Sequence, residues 1–120
     1  MGDNEVELIQ APLALARLSD LAEATFGDLV KAVVDIRQGV MAIGGGMHAD
    51  EESALLDAGS IQGDLWGINL YPGAYGTSGW IEFDSMINLR PGQGNRSRSV
   101  EDAAIRDQIM TIVGRLVTRG

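Results

Sequence analysis

Polar and apolar positions along the chain change period several times, and each change marks an element. Leu15, Leu18, Leu21 or Ala22, and Thr25 share a face at helical spacing, behind a Pro12 suited to a first helical turn and ahead of a Gly27 that stops it. Upstream, "VELI" forms a short strand with Val6 and Leu8 on one side. In "LVKAVVDI" the period drops to two: Val30, Ala32, Val34 and Ile36 alternate with Lys31, Val33 and Asp35, as in a half-buried strand. The three-residue connection "RQG" ends in a glycine suited to a left-handed conformation and leads into "VMAI", so residues 29–43 read as a β-hairpin. "GGG" at 44–46 closes it. "HADEESALLDAG" predicts a short helix with Asp50, Glu51 and Glu52 in its first turn, Leu55 and Ala58 inward and Gly59 as cap. "LWGINLYP" is a strand with Trp66, Ile68 and Leu70 on its core side, and "GAYGTSG" a loop.

"WIEFDSMINLR" reads as one strand over residues 80–90, with Ile81, Phe83, Ser85, Ile87 and Leu89 on one face and Trp80, Glu82, Asp84, Met86, Asn88 and Arg90 on the other. That exceeds the usual strand length, so a bend or bulge is expected near Ser85. "SVED" has capping-box spacing, Ser99 to Asp102, and opens a last helix carrying Ile105, Ile109, Ile112, Val113 and Leu116. The order predicts an α+β fold: a mainly antiparallel sheet of about four strands, with two principal helices and one short helix packed on one face. The 120 residues make a single domain, since two halves would each be too small to bury a core. A sheet this small leaves a face or an edge to cover, and a homodimer is expected.

Composition narrows the function classes. Without cysteine there is no disulfide, thiolate metal site or cysteine nucleophile. No apolar run is long enough to span a bilayer, and the acidic "MGDNEVELIQ" lacks the basic and apolar regions of a secretory signal, so a cytoplasmic location is expected. A formal charge of −8 argues against bulk attraction to nucleic acid or an anionic membrane. Yet Ser85 to Val100 contains no acid and three of the nine basic residues, Arg90, Arg96 and Arg98. The remaining six bases face 17 acids, a balance of −11. The positive charge is segregated.

"DLVKAVVDI", "GVMAIGGGMHADEE", "LWGINLYP" and "WIEFDSMINLRPGQGNRSRSVED" together resemble a family of short bacterial and archaeal proteins catalogued as a domain of unknown function. The likeness runs from about Gly27 to Arg106, with the first 26 residues and the loop at 73–79 expected to diverge. It implies no activity, cofactor or catalytic residue.

The residues themselves suggest three readings. A strand that feeds a glycine-rich turn ending at a helix N-terminus has the local geometry of a phosphate site, and arginine forks grip oxygens in pairs. This makes Asn88, Arg90, Asn95, Arg96 and Arg98 the candidate ligands of an anionic group such as a nucleotide or phosphorylated metabolite, with Trp80, Glu82 and Asp84 as the site wall. "GQGNRS" approaches the dinucleotide fingerprint but lacks a following parallel strand, and no Walker lysine follows any glycine, so those two functions are excluded. The second reading is a metal-assisted phosphoesterase. His48, the only histidine, lies beside Asp50, and Glu82 and Asp84 could complete the oxygen ligands of a hard divalent cation; no other cofactor is implied. "GTSGW" is no nucleophile elbow. The third reading is a structural homo-oligomer whose charged groups pair internally, with Arg90 against Glu82 or Asp84.

Overall fold

The computed structural model describes residues 6–119; residues 1–5, half of the segment read against a secretory signal, lie outside it. The main sheet holds β1 (Glu7–Ile9), β3 (Val30–Asp35), β4 (Val40–Ile43), β5 (Leu65–Leu70) and β6 (Ile81–Glu82), in the order β1-β4-β3-β5-β6 with every pair antiparallel. Three helices accompany it: α1 (Leu15–Ala24), α2 (His48–Asp57) and α3 (Ala103–Leu116). A separate two-residue ladder joins β2 (Leu13–Ala14) in parallel to β7 (Val117–Thr118). The α+β class and the antiparallel sheet are as expected, with five strands in place of four. A short strand does follow the last helix, but it pairs outside the main sheet.

Alternation along β3, β4 and β5 buries both faces. On one, Ala32, Val34, Met41, Ile43, Trp66, Ile68 and Leu70 pack with Leu18 and Ala22 of α1 and with Ile109, Ile112, Val113 and Leu116 of α3. On the other, Val33, Ala42 and Leu65 meet Leu55 of α2 and Ile87. The helices therefore occupy two layers, where the sequence suggested one. Helix α2, expected to be the short one, has the same 10 residues as α1 but carries fewer apolar positions, and tertiary packing decides its side. Each large aliphatic side chain buried this way contributes roughly 1.5–3 kcal/mol.

The hairpin turn covers Ile36–Gly39, one residue longer than expected, with Gly39 at φ 71°. Buried Asp35 builds it: one carboxylate oxygen accepts the backbone N–H groups of Arg37 and Gln38, both at 2.9 Å, and the other accepts Ser60 Oγ at 2.6 Å and Gln38 Nε2 at 2.9 Å. Burial pushes this carboxyl up, but those hydrogen bonds outweigh it and hold Asp35 below its ordinary value.

Residues 80–90 depart most from the expected strand. Only Ile81 and Glu82 pair in the sheet. Trp80 belongs to the preceding turn, donating its N–H to Thr77 O at 3.2 Å, so strand alternation does not reach it. Its ring is 9% exposed and packs edge-on against Tyr75 in the core, which removes it from the proposed polar wall. The expected break at Ser85 is present: Ser85 Oγ accepts the Ile87 N–H and starts a 3₁₀ turn over Met86–Asn88. Leu89, assigned to the core face, is exposed. At α3 the cap is Asp102, whose carboxylate accepts the Ala104 N–H at 2.8 Å, in place of Ser99.

Gly67, in the middle of β5, is crowded from the second face. A Cβ there would lie 2.6 Å from both Cβ and Oγ of Ser85 and 3.2 Å from Cδ2 of His48. Gly67→Ala is expected to lower unfolding stability by about 1–3 kcal/mol in urea denaturation, since backbone-bound neighbours must shift. Gly114→Ala is the opposite case: open space surrounds that helical glycine, so the substitution should raise stability by about 0.5–1 kcal/mol.

Candidate functional site

The arginine loop is assembled by its own backbone. Arg90 and Asn95 exchange N–H to carbonyl bonds of 2.8 and 3.1 Å, closed by Gly94 at φ 84°. The buried Asn95 amide donates to the carbonyls of Asn88, Ser97 and Ser99 at 2.7, 3.1 and 2.6 Å, while its oxygen accepts the Glu101 N–H at 2.9 Å. Asn88 is fully buried and supplies β5 with a substitute neighbour: its side chain accepts from Gly67 N at 2.8 Å and donates to Gly67 O at 2.9 Å.

The three arginines part company. Arg90, with a side chain 11% exposed, lies over the Trp66 ring at 4.8 Å, donates to Leu65 O, and has Glu52 Oε2 at 3.5 Å, an ion pair without a hydrogen bond. Burial lowers its pKa against the opposing pull of Glu52. Arg98 pairs with Asp84 at 2.7 Å on the surface. Arg96 is exposed, and its own backbone N–H is held by Glu101 at 3.1 Å. With Asp102 capping α3 as well, loop 90–99 offers no shared cationic recess. Asn88, Arg90 and Asn95 hold the scaffold.

A denser polar group lies on the second face of the sheet, beneath the first turn of α2. Glu51 of that turn is 0% exposed. Its Oε2 accepts the Gly45 N–H at 2.9 Å, and a Cβ on Gly45 would press to 3.0 Å from Glu51 Cγ, which explains a bare backbone at this point of the triglycine. Glu51 Oε1 is buried with no hydrogen-bond partner. Burial pushes the carboxyl up to about 9, with the Gly45 N–H and Lys31 pulling the other way and Asp50 adding to the rise, so Glu51 is a protonated acid near neutrality.

His48, one helical turn back and 7% exposed, donates from Nε2 to Ile68 O at 2.7 Å, which leaves Nδ1 as an acceptor. Burial lowers its pKa and keeps the ring neutral. Lys31 projects from β3 on the same face, and its charge reaches both His48 and Glu51. Among the described residues it enters no ion pair. Directly across from it, Asn69 is 6% exposed; its Nδ2 donates to Glu82 Oε1 at 2.9 Å, and its Oδ1 is buried without a partner. Tyr71 donates to the same Glu82 oxygen at 3.1 Å.

The metal reading finds no support in this arrangement. Nε2 of His48 is spent on a carbonyl, Glu82 is held by Asn69 and Tyr71, and Asp84 by Arg98. Among the described residues no three His, Cys, Asp or Glu side chains converge as metal ligands, Asp50 included.

Of the predicted residues, Glu82, Asp84, Arg98 and His48 come near this group. Lys31, Glu51, Asn69 and Tyr71 were missed. The one signal pointing to Glu51 was the triglycine six residues before it. Asn69 carried none.

Two stability predictions follow from these contacts. Asn88→Ala leaves the buried N–H and C=O of Gly67 unpaired and should cost about 1–3 kcal/mol in urea denaturation. Glu51 has a folded-state pKa raised above its unfolded value, so its contribution is fully present below about pH 4.5 and is lost as pH rises towards about 9. Glu51→Gln should remove that decline, flattening the unfolding free energy between those limits by a few kcal/mol, an order-of-magnitude figure, when denaturation is followed across pH.

Comparison with known proteins agrees with the suggested kinship. A family model described as protein of unknown function (DUF5674) matches residues 7–116, and the chain belongs to that family. The match takes in β1 and α1, which were expected to diverge. No curated protein and no solved structure matches. Among the described residues no helix is long and apolar enough to cross a membrane.

Proposed function

We propose that the protein is a cytoplasmic binding module for a small polar molecule bearing an anionic oxygen, seated on the second face of the sheet between Lys31, the first turn of α2 and Asn69. The observation that carries this reading is the pair of buried oxygens without partners, Glu51 Oε1 and Asn69 Oδ1, beside Lys31, whose ammonium lies 5.2 Å over the Phe26 ring and enters no ion pair among the described residues. A buried polar atom left unpaired costs about 1–3 kcal/mol, so a molecule that pairs both is favoured over an empty site. Protonated Glu51 donates and Lys31 supplies charge, which suits a carboxylate or phosphate oxygen; Asn69 Oδ1 accepts, which suits an amide or hydroxyl donor on the same molecule. The anionic class is the one the sequence suggested. The place differs, because the loop arginines are separated.

The homodimer belongs to the same proposal. Met47, Leu56, Ile61, Met86 and Leu89 are exposed, and β1 and β6 end the sheet. Sedimentation equilibrium should return twice the chain mass.

N-acetylglycine, with a carboxylate and an amide donor, is a suitable first probe, and acetate, glycinamide and inorganic phosphate are its controls. In thermal-shift titration it should stabilise the protein more than acetate or glycinamide, and Lys31→Met should weaken binding about tenfold, or 1.4 kcal/mol. Arg96→Ala should change nothing. A response lost in Arg96→Ala but kept in Lys31→Met would return the site to the loop. Absence of any response would leave Glu51 as a purely structural clasp and defeat the proposal.

A further inference from the structure

We infer a second, independent site: a cation-binding pocket of about 440 Å³ where the last turn of α1 and the segment entering α1–β3 meet the turn after β5. Its volume falls within the range of small-molecule sites. Ala22, Pro72 and Ala74 contribute apolar floor, Tyr71 a ring, and Glu23 and Asp28 stand at the margin. Neither of these carboxylates enters an ion pair among the described residues. The phenol of Tyr71 is already donated to Glu82, and Asp28 and Asp84 add their negative field there. Burial and the neighbouring carboxylates Glu82, Asp28 and Asp84 raise the phenol's pKa.

A pocket with an apolar floor and two uncommitted carboxylates at its margin recognises an alkyl chain ending in an ammonium or guanidinium group. The stem covers Ala22 and Pro72, and the cation reaches Glu23 and Asp28. The same negative field disfavours anions. The group can come from a free amine or from a lysine or arginine side chain of a partner protein, and either presents the same chemistry. This site uses none of Lys31, Glu51 or Asn69, so it stands whether or not the binding proposed above is found.

Agmatine tests the pocket, with N-butylurea as a neutral planar control and the tripeptide acetyl-Gly-Arg-Gly-amide as the side-chain source. In amide-resolved NMR titration, agmatine should shift the N–H signals of Ala22, Gly27, Gly73 and Ala74, and N-butylurea should not. Tighter binding of the tripeptide than of agmatine assigns the site to a partner's side chain, and the reverse order assigns it to a free amine. The combined Glu23→Gln and Asp28→Asn variant should weaken binding by about tenfold or more, as expected on losing two charges that meet the ligand directly. A Cβ on Gly73 meets open space, so Gly73→Leu should fill the pocket and block agmatine without unfolding the protein. Three results would overturn the inference: no shifts with agmatine, equal shifts with N-butylurea, or agmatine binding that survives both sets of substitutions with shifts spread over the acidic surface.

Discussion

The structure turns on Gly67 and the Asn88 side chain that pairs with it. Strand β5 is covered by β3 along its length, but β6 pairs only with its last two residues. The middle of its outer edge is buried and has no strand beside it. An unpaired backbone there would cost more than a residue can ordinarily repay. The Asn88 amide presents one of its N–H groups and its oxygen to Gly67 in the geometry of a peptide group, so a single side chain closes the gap. Because Gly67 has no side chain, Ser85 and His48 can lie directly on the strand.

From that pairing follows the course of residues 83–101. The chain must deliver Asn88 to the edge, so it leaves the sheet after Glu82 and turns at Ser85. Ser85 N–H and Asn88 Nδ2 then both bind Arg98 O, at 3.0 Å each, and Asn95 gathers the carbonyls behind them. Arginines close in sequence consequently leave the loop in different directions. Arg90 is drawn inward over Trp66 towards Glu52, and Arg98 returns along the surface to Asp84. Two of the three segregated charges, Arg90 and Arg98, become paired in the fold. Buried oxygens left without hydrogen-bond partners lie beneath α2, at Glu51, Glu52 and Asn69.

The hairpin, α1, α2 and α3 were legible because each relies on a local period and a local punctuator: alternation through Val30–Ile36, Gly39 in the turn, Gly27 and Gly59 after helices. The strand at 80–90 was misread for a definite reason. Alternation of apolar and polar residues is compatible with a strand, yet once the chain leaves the sheet and turns, the exposed residues are Glu82, Met86 and Leu89 and the buried ones Ser85 and Asn88, which no period of two describes. Trp80, Asn88 and Leu89 all ended up on the side opposite to the one assigned. For the polar group beneath α2, the sequence held His48 and the acids, but an acid in a first helical turn is ordinarily solvated, and nothing local distinguishes Glu51 from Asp50 or Glu52.

The sequence by itself thus determined the α+β class, the antiparallel hairpin, the positions of the helices and an acidic surface, because these follow from side-chain period, glycine conformations and net charge. Tertiary structure alone decided which layer α2 joins, which asparagine serves as backbone, which arginines are neutralised and which glutamate loses its water. Those outcomes depend on contacts outside any local period, such as Asn88 with Gly67 and His48 with Ile68. No local pattern records such contacts. Burial and partner are properties of the packed chain.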